Sequence, residues 1–233
     1  DGVPSIINHD DKSGIEAALQ LREKVGGTVT VVCMGPPQAD VALREALAMG
    51  CDDAYLLSAR EFGGSDTCAT AIIISTALKK IGYDLVITGR QAIDGDTAQV
   101  GPQIAEKLDL PQVTYVEEFH IDDNLKDITV KRQLEDGYEL IAIKTPCMLT
   151  AIKELNEPRY MNMKGIFGEK DIKIWNAKDI EVDLTKVGLE ASPTNVFRSF
   201  TPAPKAPGQV ITGDSENEQA KNLLIQLKGK HII

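Results

Sequence analysis

Apolar positions in the first part of the chain alternate between a helical and an extended pattern. Residues 13–25 carry apolar side chains near helical spacing and precede two glycines, which predicts an amphipathic helix with a glycine stop. The run TVTVVCM, residues 28–34, is continuous and β-branched, as is typical of a parallel strand covered on both faces. Two further units follow, with helices over residues 39–49 and 67–81, the second capped by Asp66, and strands over residues 54–57 and 84–89.

The second half of the chain follows a different pattern. The runs KDITVKRQL and YELIAIKT flank Glu135, Asp136 and Gly137, and an Asp-Gly pair between strand-like runs predicts a hairpin. Residues 157–210 show weak periodicity and many prolines, but they are too apolar for a disordered tail. We therefore expect an arm that wraps a partner subunit, followed by a helix over residues 215–227. The fold class predicted is α/β, a Rossmann-like parallel sheet with helices on both faces, an antiparallel hairpin and a long C-terminal arm.

Composition narrows the function classes. The 233 residues are 42% hydrophobic and carry a formal net charge of −10 without a basic cluster, which argues against nucleic acid and anionic membranes as partners. With no long apolar run and no signal sequence, we expect a soluble, cytoplasmic protein. The four scattered cysteines favour reduced, buried thiols, and neither they nor the three histidines have metal-ligand spacing. The chain opens without a strand, so the first strand of the pattern is expected to be missing.

The loop TGRQAIDGDTAQVGP, residues 88–102, lies where an open parallel sheet usually binds its ligand. Gly89 and Gly95 allow positive φ and let the backbone approach a ligand closely. Asp96 and Gln99 have the spacing of a capping box, which would start a helix at Thr97; the other possibility is a start at Pro102. In both cases free backbone amides would form an anion site that needs no lysine.

The aspartates of this loop would repel phosphate if they faced it. We therefore expect them to cap, or to accept hydrogen bonds from ribose hydroxyls, while Arg90 faces a pyrophosphate or a flavin ring. The alternative is an exposed acidic turn that only caps a helix. The chain lacks the common dinucleotide fingerprint, the P-loop and the hydrolase elbow, and shows no acid/base set, so no catalytic residue is predicted. The residues by themselves indicate a nucleotide-binding α/β protein with a partner.

Four blocks of sequence resemble the beta subunit of electron transfer flavoprotein, and they occur in the family's order. They are INHDDKSGIEAALQLREK, VVCMGPPQADVALREALAMGCDDAYLL, TGRQAIDGDTAQVG and LNEPRY. The resemblance implies an alpha–beta heterodimer, with residues 1–156 as the nucleotide- or FAD-binding domain and residues 157–233 as a partner-recognition loop and an arm on the alpha subunit. The opening strand of the family, which contributes to its nucleotide site, is not in this sequence.

The resemblance also implies site residues and a cofactor. Cofactor-binding positions matched to the family are Asn8, His9, Asp10, Met34, Gly35, Gly89, Arg90, Gln91, Asp94, Gly95, Asp96, Thr97, Ala98, Gln99, Val100 and Gly101. A proline is common in the family where His9 stands. The matched partner-recognition residues are Arg159, Tyr160, Met161 and Met163. For Met161 and Met163, simple packing against the sheet or the alpha subunit is an equal alternative.

The sequence GDTAQVGP resembles the corresponding loop of the flavin-bifurcating members, which hold FAD where respiratory members hold AMP. The implied function is oxidation of NADH at this FAD. One electron would pass to ferredoxin or flavodoxin, and the other, through the FAD of the alpha subunit, to an acyl-CoA dehydrogenase or similar flavoenzyme. Two alternatives stay open: a non-bifurcating beta subunit with structural AMP, and a nucleotide-binding regulator of the universal-stress type.

Overall fold

The structure, a computed structural model, describes residues 6–122, 124–168 and 170–233. The helices of this part of the chain are α1 (His9–Val25), α2 (Asp40–Met49), α3 (Thr67–Ile81), α4 (Val100–Leu108), α5 (Met163–Ile166), α6 (Ala177–Ile180) and α7 (Glu216–Gly229). The strands are β1 (Thr30–Met34), β2 (Asp53–Leu57), β3 (Leu85–Gly89), β4 (Gln112–Ile121), β5 (Asp127–Leu134), β6 (Gly137–Lys144), β7 (Cys147–Ala151) and β8 (Ile172–Trp175).

The strands form two sheets. The first has the order β1-β2-β8 and is parallel throughout. The second has the order β3-β7-β4-β5-β6, in which β3, β7 and β4 run parallel and β4, β5 and β6 run antiparallel. The predicted α/β class is confirmed, as is the hairpin, because β5 and β6 pair across the turn at Glu135 and Asp136.

Local signals explain where the early helices begin and end. Asp66 caps α3 as predicted, since its carboxylate accepts hydrogen bonds from the amides of Cys68 and Ala69. A glycine with positive φ follows α1, α2 and α3, which lets each helix end sharply. The helix α1 begins at His9, earlier than the apolar spacing predicts, because the polar residues of its first turn face the site described below.

Close packing of α1 on β3 positions the candidate site. The Cα of Gly14 lies so near the sheet that a Cβ there would stand 3.1 Å from Cγ2 of Ile87. The N-terminus of α1 is thereby held at the carboxyl end of β3, which is where parallel sheets bind ligands. On the other side of the sheet, α3 and α4 cover β3 and β7 around Ile104 and Met148, both of which are fully buried.

Residues 157–195 contain short elements that the sequence pattern did not predict. Chief among them is β8, which pairs in parallel with β2 and extends the first sheet. A hydrogen-bonded anchor follows, in which the free oxygen of the Asp66 carboxylate accepts from the amide and the hydroxyl of Thr194 at 3.0 and 2.9 Å.

The chain divides into two compact units, Asp1–Asn195 and Val196–Ile233. In the second unit, residues 196–213 form neither helix nor strand, and Ser215 caps α7 at the amide of Glu218. Large apolar side chains of this unit are exposed, including Phe197 and Phe200. The described cysteines are all free thiols, and burial raises the pKa of Cys51 and Cys147 to about 11. No helix among the described residues is long and apolar enough to span a bilayer.

Candidate nucleotide site

The loop after β3 is tied to the N-terminus of α1 by side-chain hydrogen bonds. The amide of Gly89 donates to Oδ1 of Asp11 at 2.6 Å. The side-chain amide of Asn8 donates to the carbonyl of Gln91 and to Oδ2 of Asp11, both at 2.8 Å. Residues 8–10 and 89–91, which the prediction assigned to one site, therefore lie side by side, and Asp11, which it did not include, joins them.

Met34 and Gly35 lie at the carboxyl end of β1, as their position in the sequence predicts. The amide of Gly35 donates to the carbonyl of Leu57 at 3.1 Å, so this turn is held by the neighbouring strand. Burial raises the pKa of the preceding thiol, Cys33, and the charge of Asp11 adds to the effect, which places the end of β1 near α1. Neither Met34 nor Gly35 lines the cleft described below.

Gly89 and Gly95 do not use the positive φ that glycine allows. Neither residue has positive φ, whereas Asp96 and Ala98 do, at 50° and 52°. Gly89 is required for a different reason, because a Cβ at this position would lie 2.7 Å from the backbone nitrogen of Asp11. The close approach is to the first turn of α1, and it is what allows the amide of Gly89 to reach the Asp11 carboxylate.

The predicted capping box was wrong, since α4 begins at Val100 and not at Thr97 or Pro102. Gln99 occupies the N-cap position without a side-chain cap, and Pro102 lies in the first turn, where helices tolerate proline. The two aspartates instead bond within the loop, where Asp94 accepts from the amide of Gly95 and Asp96 accepts from the side-chain amide of Gln91. Both carboxylates are thus engaged within the loop, Asp94 with its backbone and Asp96 with a side chain, and neither caps α4.

The late start of α4 leaves a run of unused backbone donors. Among the described residues, the amides of Thr97, Ala98 and Gln99 donate to no other group. Ala98 has left-handed φ, and Gln99 is right-handed at φ −104° and ψ −31°. Successive amides in such a left-handed and right-handed pair converge on one point and form an anion-binding concavity. The first turn of α4 lies next to it, with Gly101 buried against Thr88 and Thr150.

Arg90 and Asp10 bring opposite charges together at the carboxyl end of β3. Nε of Arg90 lies 3.4 Å from Oδ2 of Asp10, but it is buried without a hydrogen-bond partner, so the pair attracts as charges without forming a hydrogen bond. Burial raises the pKa of Asp10, an effect that the Arg90 charge opposes and that Asp11 and Glu154 reinforce. Cζ of Arg90 lies 5.6 Å from the ring centre of Tyr115.

Asp10 and Arg90 line a surface cleft of about 380 Å³, a volume within the usual range of ligand sites. Its lining consists of Asn8, His9, Asp10, Arg90, Gln91, Ile93 and Asp96. Ile93 was missed by the sequence reasoning, although an isoleucine in a polar loop is itself a signal; its side chain is 65% exposed. Tyr115 was also missed, because nothing in the local sequence connects it to Arg90. A second cleft, of about 260 Å³ between α1 and β4, contains none of these residues.

The predicted recognition residues divide into an anchor and an exposed surface. Arg159 is turned inward, where its Nε and Nη2 donate to the two oxygens of the buried Glu16 at 2.8 and 3.0 Å, and its Nη1 donates to Glu23. These bonds lower the pKa of Glu16 against the effect of its burial. Tyr160, Met161 and Met163 are exposed, Tyr160 almost fully.

The exposed part of this segment is held by backbone contacts with α2. The amide and the side-chain amide of Asn162 both donate to the carbonyl of Ala48 at 3.0 Å. Gly165 lies so close to the same residue that a Cβ would meet its backbone at 2.5 Å. The methionines are therefore presented on a segment whose backbone is fixed.

Comparison with known proteins places this geometry in a family. Residues 1–180 match the family described as Electron transfer flavoprotein domain. The chain is 57% identical to the electron transfer flavoprotein subunit beta of Thermoanaerobacterium thermosaccharolyticum, over all of this chain and 90% of that protein. It is 55% identical to the caffeyl-CoA reductase-Etf complex subunit CarD of Acetobacterium woodii, with the same coverage. It is 48% identical to the acryloyl-CoA reductase electron transfer subunit gamma of Anaerotignum propionicum, over 98% of this chain and 88% of that protein.

The matches cover the α1 terminus, the loop after β3 and the Arg159 segment together. The chain therefore belongs to the electron transfer flavoprotein family and groups with its beta subunits.

Proposed function

We propose that this chain binds FAD as the beta subunit of a heterodimeric electron transfer flavoprotein. The observation that carries the proposal is the run of unused amides at residues 97–99, which directly follow Asp96 in the lining of the cleft. Backbone amides at a helix start bind phosphate oxygens without any lysine. The acidity of the loop does not oppose this, because the carboxylates of Asp94 and Asp96 are engaged with groups of the loop itself.

The cofactor would supply the redox chemistry and this chain would supply binding and orientation. The chemistry that FAD would supply is acceptance of a hydride from NADH and release of its two electrons one at a time. In this proposal one electron would go to ferredoxin or flavodoxin and the other, through the FAD of the alpha subunit, to an acyl-CoA dehydrogenase or related flavoenzyme. Asp10 and Arg90 would fix the charge next to the cofactor, and the amides of residues 97–99 would hold its phosphates.

Two features favour FAD over AMP. The sequence GDTAQVGP resembles the corresponding loop of the flavin-bifurcating members. In addition, a Cβ added at Gly95 would meet nothing within 4 Å, so the loop is open on that side. AMP in the same cleft, without bifurcation, is the second candidate. A universal-stress-type regulator is not favoured, since the chain belongs to the flavoprotein family.

For the electron acceptor, we propose that Tyr160, Met161 and Met163 dock a partner dehydrogenase. Flexible thioethers on a fixed backbone suit an adaptable apolar contact. The names of two relatives, a caffeyl-CoA reductase complex subunit and an acryloyl-CoA reductase subunit, support an acyl-CoA-linked flavoenzyme as that partner. Residues 196–233 are proposed to pack on the alpha subunit.

The test is the cofactor content of the purified complex with its alpha subunit. Nucleotides released by denaturation are separated and quantified, and two FAD per heterodimer are expected. One FAD and one AMP would overturn FAD binding by this chain and leave the AMP candidate. If two FAD are present, a second assay tests bifurcation. NADH should reduce ferredoxin only when an acyl-CoA dehydrogenase and its substrate are also added. Reduction of the dehydrogenase by NADH in the absence of ferredoxin would contradict bifurcation.

A matched pair of variants tests the amide site. Ala98→Gly keeps the left-handed φ of 52° without strain and should retain the nucleotide. Ala98→Val places a β-branched side chain at that φ, which should distort the amides and lower nucleotide content about tenfold or more. Equal nucleotide content in the two variants would show that these amides do not hold the phosphates.

A further inference from the structure

Tyr115 has an unusual backbone for a residue inside a strand. Its φ is 57°, a left-handed value that bulky side chains rarely adopt and that persists only where the surroundings enforce it. The pairing of β4 with β7 is irregular between Val113 and Val116, and the amide of Tyr115 donates to the hydroxyl of Thr150 at 3.2 Å. The irregularity takes Tyr115 out of the normal alternation of the strand.

The ring that this backbone displaces lies against Arg90. Cζ of Arg90 is 5.6 Å from the ring centre, within the range of a cation–π contact. The backbone amide of Arg90 is fixed by the carbonyl of Ala151 at 2.8 Å, and Asp10 lies on the cleft side at 3.4 Å from Nε. A ring and a carboxylate thus confine the guanidinium.

Neither contact uses the hydrogen-bonding capacity of the guanidinium. Among the described residues, the side chain of Arg90 donates no hydrogen bond; its Nε is buried without a partner, but the side chain lines the cleft and is 34% exposed. A guanidinium carries five donors in a planar fork that fits phosphate oxygens. A ring can hold such a group in place while leaving its donors available to a ligand.

We propose that Tyr115 is a positioning residue, whose ring holds the Arg90 guanidinium at the cleft so that it can bind a phosphate of the nucleotide. The inference rests on the proposed function, because it concerns the same cleft. The strained backbone of Tyr115 is then part of the site, since an unstrained strand would point the ring along the normal alternation. Loss of the ring leaves Arg90 mobile and weakens nucleotide binding by about two- to fivefold.

The experiment measures the dissociation constants of FAD and AMP for the complex with its alpha subunit, after removal and readdition of nucleotide. Tyr115→Phe keeps the ring and should bind as the wild type does, whereas Tyr115→Leu should bind about two- to fivefold more weakly. Tyr115→Gly relieves the left-handed φ but lacks the ring, so it should be at least as stable as Tyr115→Leu in thermal unfolding and yet bind the nucleotide equally weakly. If the substitutions acted only by destabilising the fold, the dissociation constants would instead rise in the order in which the variants lose thermal stability.

The decisive control is the Arg90→Gln background. If Tyr115 acts through Arg90, Tyr115→Leu should have no further effect on either dissociation constant once Arg90 is replaced. An unchanged twofold to fivefold loss in that background, or a Tyr115→Phe variant as weak as Tyr115→Leu, would overturn the positioning role while leaving the proposed function intact. A wild-type complex that binds neither FAD nor AMP would overturn the proposed function and this inference with it.

Discussion

At the scale of single residues, the site depends on the size of side chains as much as on their chemical groups. Gly89 is buried where a Cβ would lie 2.7 Å from the nitrogen and 2.9 Å from Cγ of Asp11. The Gly89→Ala variant must therefore move the first turn of α1 or the loop. We expect its free energy of unfolding to fall by about 1–3 kcal/mol, as for other overpacked sites, and its nucleotide content to fall with it.

Gly95 provides the matched control for that substitution. It lies in the same loop, has no positive φ, and a Cβ there would meet nothing within 4 Å. Gly95→Ala should keep the stability of the wild type in urea unfolding. A Gly89→Ala variant that unfolds at the same urea concentration as Gly95→Ala would contradict the close approach of α1 and β3.

At the scale of elements, α1 has two functions, because its N-terminus forms the cleft and its middle anchors the recognition segment. The anchor is Arg159, bonded to both oxygens of Glu16, which is 4% exposed. Arg159→Gln would leave this carboxylate buried without its cation, and we expect a loss of about 3 kcal/mol at pH 7. The double variant Glu16→Gln, Arg159→Gln should lose less, since no buried charge remains.

The same pair predicts a pH dependence. The pKa of Glu16 is lowered from its ordinary value of 4.5, because the bonds from Arg159 and Gln20 outweigh its burial. A lowered folded pKa contributes stability that is present above the unfolded value and is lost as the pH falls through the folded one. The stability difference between wild type and Arg159→Gln should therefore be full at pH 7 and shrink as the pH falls, because Glu16 is protonated first in the variant, where burial is no longer opposed, and only at lower pH in the wild type. Urea unfolding at several pH values measures it, and a difference that stays constant down to pH 3.5 would contradict the assignment.

At the scale of the whole molecule, the unit Val196–Ile233 has the properties of an arm that needs a partner. Residues 196–213 form no helix or strand, and Phe197 is 99% exposed. Arg198 and Lys205 offer trypsin sites in this stretch, whereas Lys107 lies within α4. We expect trypsin to cut the separated subunit first at Arg198 and Lys205, and to spare both in the complex with the alpha subunit.

Mass spectrometry of timed digests measures the rate of cleavage at each site in the separated subunit and in the complex. Cleavage at Lys107 serves as the internal measure of general unfolding. Equal rates at Arg198 in the subunit and in the complex would show that the arm does not pack on the alpha subunit.

Net charge at this scale says little about the site. The chain carries −10 overall, but the candidate phosphate donors are backbone amides whose dipoles act over one turn. An acidic protein can therefore bind a phosphate wherever its carboxylates are turned to other groups, as Asp94 and Asp96 are.

Short-range signals made much of the fold predictable. The Asp66 cap, the glycines after the first three helices and the Asp-Gly turn each act within a few residues, so the sequence shows them directly. The strands β4, β7 and β8 were missed because their signals are long-range. All five residues of β7 are buried between β3 and β4, and that burial depends on neighbours far along the chain.

What the sequence by itself determined was the α/β class, the hairpin, the family resemblance and the segments that form the site. What only the tertiary structure decided was how the loop after β3 is held: by Asp11, by the late start of α4 at Val100, and by Tyr115 next to Arg90. The physical reason is that helix caps and turns are settled by neighbours in sequence, whereas the φ of Ala98 and Tyr115 and the packing of Gly89 are imposed by elements that meet only in the folded chain.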